Sequence, residues 1–233
     1  MASVIDSIRT VFTENFALLK LGAFSGATFM LFQMFVSDPK NISTYTFFSI
    51  VMGLFYIGYT AIIMHNRIHQ KLELLPIVNP MLFLNVSLKG LAVLIPYLII
   101  GIPVVNSIFG LFNFEGVPQM IAIAIIQLLF LAMGLTALMY YSNNYEIADG
   151  YGLSKVLTGF QDILVYMVAC LIVILIVNAF TIVPILYFAN QYWGIGPAVY
   201  FIIIYAVTMD IAIMADYCGQ LWFDLDSKNS YYS

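Results

Sequence analysis

The sequence predicts an all-α integral membrane protein, a six-helix bundle built from three parallel repeats. Three observations predict it. The chain is 63% hydrophobic and only 9% charged, whereas soluble domains run near 45–50% and about 25%. Lipid is the solvent that tolerates so much apolar surface. Six long apolar runs follow one another with short polar breaks, and no Asp, Glu, Lys, Arg or His occurs in 90–114, 116–145 or 163–209. The runs also fall into three copies of one unit, an amphipathic stretch followed by two spans. The copies open near Ser3, Pro76 and Ser154. Two spans per copy is an even number, so every copy starts on the same side of the bilayer, which makes the repeats parallel.

The elements follow in order. In residues 3–19, Val4, Ile5, Ile8, Val11, Phe12 and Phe16 recur at three- and four-residue steps, with Ser7, Arg9, Thr10, Thr13 and Glu14 opposite. That is the pattern of a helix lying in the interface plane. A span needs about 20 apolar residues. The first covers about Ala17–Val36, and Ser37–Asn41 makes a tight polar loop. The second covers about Tyr45–Met64, followed by the polar stretch His65–Lys71. Asn79-Pro80 reads as an N-cap with proline at the first helical position, opening the second interfacial helix. Spans three and four cover about Leu91–Phe112 and Met120–Tyr141, with Asn113–Pro118 between them. Ser142–Gly159 is polar, and Ser154 caps a third interfacial helix carrying Val156, Leu157, Phe160, Ile163 and Leu164. Span five covers about Ile163–Phe188, Asn190–Gly194 turns the chain, and span six covers about Ala198–Ala215. Residues 1–222 form one transmembrane domain, with repeats at about 3–70, 76–141 and 154–216. Residues 223–233 form a short cytoplasmic tail.

Lysine and arginine set the orientation. Under six spans, Arg9, Lys20, Arg67, Lys71, Lys89, Lys155 and Lys228 fall on one side and only Lys40 on the other. Both termini are therefore expected in the cytoplasm, and the protein in the cell membrane. Residues 1–19 carry Asp6 and Glu14 and lack the basic start and short apolar core of a cleavable signal, so the first apolar run is expected to be retained. Cys170 and Cys218 make no disulfide framework. A net charge of −4 without a basic stripe gives no reason to expect nucleic acid as a partner.

Short motifs punctuate this layout. Gly58-Tyr59 closes a span, Leu75-Pro76 opens the step to an amphipathic helix, and Lys89-Gly90 ends it. The acidic polar loop Asn144–Asp149 is followed by Val156-Leu157-Thr158-Gly159-Phe160, and Gly219-Gln220 closes the last span. Over roughly residues 3–222 the chain resembles a prokaryotic family of polytopic membrane proteins known only as a domain of unknown function. The resemblance implies this fold and a prokaryotic origin. It implies no activity.

Several residues carry candidate chemistry. Asp210 lies five residues inside the cytoplasmic end of span six, roughly 8 Å below it. It reads either as an ion or proton site or as a structural pair with Lys20 or Lys89. Gln33, Gln127 and Asn178 are polar groups on spans one, four and five. They suit interhelical hydrogen bonds more than a pathway. Pro96, Gly101 and Pro103 should kink or break span three, as transporter helices are broken at binding sites. His65, His69 and Glu73 would share one helix face, as metal ligands do, yet Leu75-Pro76 ends any helix there and the stretch reads as a polar linker. Neither a metal nor a cofactor is expected. No GxSxG, HExxH, phosphate-binding loop or dinucleotide-binding glycine pattern occurs, and an enzyme is not expected. Two functions remain. One is a transport-related membrane component, part of an exporter or permease, for which a second membrane subunit or a cytoplasmic ATPase would be the partner. The other is a structural or assembly protein that organises lipid or a partner through its interfacial helices.

Overall fold

The structure is a computed structural model that describes residues 2–37, 42–77, 79–112, 117–194 and 196–231. The described residues are all helix and connections. In chain order the helices are α1 (Val4–Thr13), α2 (Ala17–Ser37), α3 (Ile42–Ile68), α4 (Pro80–Phe112), α5 (Val117–Asn144), α6 (Ile147–Tyr151), α7 (Leu153–Phe180), α8 (Ile182–Trp193) and α9 (Pro197–Tyr231). Among the described residues, Leu153–Tyr192 and Pro197–Asp224 are long and apolar enough to cross a bilayer. Val4–Thr13 with Ala17–Gln33 makes a third candidate if that bent pair counts as one span. Lys40, Glu115 and the loops that hold them lie outside the described residues.

α1 is a separate helix and not the start of a straight span. Ser3 caps it, its hydroxyl accepting from the Asp6 N–H at 3.3 Å. The chain then turns by 89° into α2. Phe16 makes that corner with φ of 59°, a left-handed conformation rare outside glycine. The other two amphipathic stretches differ. Residues 80–90 run on into 91–112 as the single helix α4, and residues 154–160 are continuous with the rest of α7. Neither has a left-handed residue to turn it, so the helix runs on. α4 is likewise unbroken through Pro96, Gly101 and Pro103. The expected break is absent, and of Gly101 and Pro103 only the backbone is described.

The predicted fifth span falls within one apolar candidate span, Leu153–Tyr192, which carries a local irregularity at Thr181. α7 ends at Phe180 and α8 begins at Ile182. Pro184 explains it: proline has no N–H to give and its ring crowds the carbonyl four residues back, that of Phe180. The Thr181 hydroxyl takes up slack by donating to the Val177 carbonyl at 2.7 Å. The polar stretch after α5 also holds a short helix, α6. The Tyr97 hydroxyl donates to the Gly150 carbonyl at 2.8 Å and the Tyr151 hydroxyl to the Ala92 carbonyl at 2.9 Å, fixing α6 to α4.

α3 and α9 are the central helices, each packed on several others. Glycine sets the closest crossings. A Cβ on Gly219 of α9 would stand 2.6 Å from the Arg67 Cβ of α3, and a Cβ on Gly58 of α3 would collide with the Ser87 hydroxyl of α4. Small residues that let backbones approach are what lipid-embedded helices use for association. Phe24 of α2 stacks on Tyr59 of α3 with centroids 4.0 Å apart, and Phe83 of α4 closes the cluster at 5.9 Å from Phe24.

Candidate functional site: the groove between α1, α3 and α9

α1 has three faces, not two. Ser7 and Val11 are buried against the bundle, Ile5 and Phe12 are exposed, and Asp6, Arg9 and Thr13 take the remaining arc. The buried face is tied down by polar contacts. The Gln220 side-chain amide of α9 donates to the Ser7 hydroxyl at 2.8 Å and to Asp216 Oδ2 at 2.8 Å, and its carbonyl oxygen accepts from the Ser3 N–H at 3.0 Å. Asp216 is fully buried, and its Oδ1 faces Arg67 Nε at 3.3 Å. The Ala2 N–H adds a bond to Asp224 at 3.3 Å. Residues 2–3 and 220–224 thus meet at one end of the bundle.

The corner after α1 pins the connection between α3 and α4. Glu14 accepts from Lys20 Nζ at 2.5 Å through Oε1. Its Oε2 accepts the N–H groups of Leu74 and Leu75 at 3.1 and 2.8 Å. From the other side, the Asn66 side-chain amide donates to the Leu74 carbonyl at 3.0 Å. Glu73 shares the same lysine at 3.3 Å. Leu74 and Leu75 are buried as a result, and their backbone groups have the partners that burial requires.

Between these two networks lies a groove of about 770 Å³. Thr10, Thr13 and Asn15 line it from the α1 side. Arg67, Gln70 and Lys71 line it from the end of α3, and Gln220 and Phe223 from α9. The helix end is built as a Schellman turn: the Lys71 N–H donates to the Asn66 carbonyl at 2.9 Å and the Gln70 N–H to the Arg67 carbonyl at 3.0 Å. Gln70 takes the left-handed position, with φ of 49°.

The histidines have a different task from the one their spacing suggests. His65 Nδ1 donates to the Ser142 carbonyl at 2.8 Å and His69 Nε2 to the Asn143 carbonyl at 2.7 Å. Those carbonyls end α5, where the helix has no further N–H to offer. His65 also stacks on Tyr145, with centroids 4.3 Å apart. Burial lowers the His65 pKa below its ordinary value, the Ser142 carbonyl opposes that shift, and Lys71 and His69 add to it. Glu73 belongs to Lys20. Among the described residues no group of His, Cys, Asp and Glu could hold a metal ion.

Asp210 does not meet Lys20 or Lys89. Lys20 is held by Glu14 and Glu73, and Asp210 Oδ2 accepts from the Asn178 side-chain amide at 2.7 Å. That bond joins α9 to α7. Asn178 continues the buried stripe of Cys170 and Ile174 at four-residue steps. Gln33 is partly buried near the far end of α2, and the Gln127 side chain is outside the described set. Sequence reading missed Asp216, Gln220 and the double role of Glu14. The first carried a signal: Asp216 is an acid six residues past Asp210 on an apolar helix, with Arg67 ending another span.

No protein-family model, curated protein or solved structure matches this chain.

Proposed function

We propose that the chain is a six-span membrane protein of three parallel repeats, with both termini cytoplasmic, and that its role is to organise. It offers the face bearing the groove to lipid or to a partner, and it catalyses no reaction. The observation that carries this role is the Asp210–Asn178 bond. It spends Asp210 on interhelical adhesion, while the groove lies at the end of the bundle where α1 meets α3 and α9. The orientation has support from the contacts that bring basic segments together. Lys20 reaches Glu73, Arg67 reaches Asp216, and Lys155 stands over the Tyr140 ring at 5.0 Å. The helix lengths of 27, 33 and 28 residues in α3, α4 and α5 leave room for six crossings.

A transport-related role keeps one observation in its favour. Asp210 is nine residues from the Gly219–Arg67 crossing, about 13 Å along α9, which is deep for a group with no task beyond adhesion. A single cysteine separates the readings. In a chain with Cys170 and Cys218 replaced by serine, Asp210→Cys should resist a membrane-impermeant thiol reagent from either side. Labelling would instead indicate a water-lined path and favour transport with a partner subunit or ATPase. Reporter fusions after Glu115 and after Ser233 should report opposite sides of the membrane. The same side for both would end the six-span proposal.

A further inference from the structure

We propose that the groove is a binding site for a phosphate group, presented either by the headgroup of an anionic phospholipid or by a small soluble phosphate ester. The inference rests on the cytoplasmic placement of this face.

The open donors point to an anion. Glu14 and Glu73 share the single charge of Lys20, and Glu14 also accepts two backbone N–H groups. Asp216 is buried behind Arg67 and takes up its Nε. Arg67 still has its four terminal N–H donors, and it lines the groove with part of its side chain exposed. Among the described residues no carboxylate lies within ion-pair reach of Lys71, which also lines the groove. Hydroxyls of Thr10 and Thr13 add donors that can rotate to suit a ligand. A cavity with surplus donors, one unpaired ammonium and part of a guanidinium suits a group with three or four acceptor oxygens and negative charge. The volume lies within the usual range for small-ligand sites, about 300–1,000 Å³.

The surroundings give the lipid source its support. Leu72 is fully exposed and Phe223 partly so, both at the groove. On the adjoining helix Ile5 and Phe12, and at the corner after it Phe16, are exposed as well. Polar donors inside and bare apolar side chains beside them match an amphiphile whose headgroup enters while its chains stay in the membrane.

The test uses the full chain in a neutral detergent. Phosphatidylglycerol, phosphatidylcholine, glycerol 3-phosphate and inorganic phosphate are each titrated while thermal unfolding is followed. Lys71→Gln is compared with the parent, because Lys71 is exposed and outside both buried networks. The expected result is stabilisation by phosphatidylglycerol above phosphatidylcholine, with apparent affinity falling at least tenfold in Lys71→Gln. Stabilisation by glycerol 3-phosphate or inorganic phosphate, with the same loss, would assign the site to a soluble ligand. No stabilisation by any of the four, or an undiminished response in Lys71→Gln, overturns the site. The fusions after Glu115 and Ser233 test the placement separately, so a silent groove on a correctly placed face condemns the site alone.

Discussion

Arg67 Nε stands 3.3 Å from Asp216 Oδ1, yet that oxygen accepts no hydrogen bond. The pair is a charge contact without hydrogen-bond alignment, and its separation is set by Gly219, where α3 and α9 touch. Arg67→Ala should destabilise the protein by about 3 kcal/mol, the lower end for a broken buried pair because the arginine side chain is 31% exposed. Asp216→Asn should cost less, since the amide can still meet Gln220. The double variant should cost less than the sum of the two, because the uncompensated acid is gone. Denaturation in detergent measures all three, and strict additivity would show that the two residues do not interact.

Glu14→Ala should loosen the connection between α3 and α4 without unfolding the bundle. It removes the acceptor for two N–H groups and one partner of Lys20. Hydrogen exchange at Leu74 and Leu75 should accelerate by about tenfold or more, equal to about 1.4 kcal/mol of local opening. Glu14→Gln keeps an acceptor oxygen and should show a smaller effect. Unchanged exchange in Glu14→Ala would remove the pinning role.

His65 should make stability depend on pH. Its folded pKa is lowered by burial, so the fold binds the proton less well than the unfolded chain does. The contribution is complete above the unfolded value of about 6.5 and is lost as pH falls below it, through the folded pKa. His69, Lys71 and Tyr145 are the charged or titratable neighbours that face it. Melting temperature should therefore drop between pH 7.5 and pH 5. His65→Phe, which can still stack on Tyr145, should flatten that slope. A slope that persists unchanged would assign it to other groups.

Gln70→Gly should stabilise the protein by about 0.5–1 kcal/mol, since glycine takes the left-handed turn position without the Cβ penalty. The same change at Tyr145, also left-handed with φ of 56°, should destabilise, because it deletes the ring against His65. A Gln70→Gly chain that melts lower than the parent would show that its side chain matters more than its backbone.

The fold was legible where apolar spacing and glycine carry the information. The all-helical class and the stripe of α1 follow from periodicity. Of the glycines in the short sequence motifs, Gly58, Gly90, Gly159 and Gly219 stand where a Cβ would crowd a neighbouring helix. The turn after α1 was visible as a change in pattern, but the left-handed Phe16 that separates it from the continuous α4 and α7 was not, because phenylalanine gives no sign of that conformation. Asp210 was legible as a paired group. Its partner was not, since a six-span outline puts lysines at the same level and says nothing of which face of α7 carries Asn178. The groove could not be read at all, because its walls come from three segments far apart in the chain, as the 217-position bond between Ser3 and Gln220 illustrates.

That bond also has a consequence for biosynthesis. The Ala2 N–H, the Ser3 N–H and the Ser7 hydroxyl find their partners in α9. At roughly 5–20 residues per second, the ribosome reaches those partners on the order of ten to forty seconds after releasing the first helix. During that interval α1 has a polar serine and no mate for it, and an apolar stripe with nothing to cover it but lipid. α1 is thus made well before the helix that locks it. Its closure waits for α9, and a product truncated before Gly219 would leave α1 loose and open to proteases or to a quality-control factor.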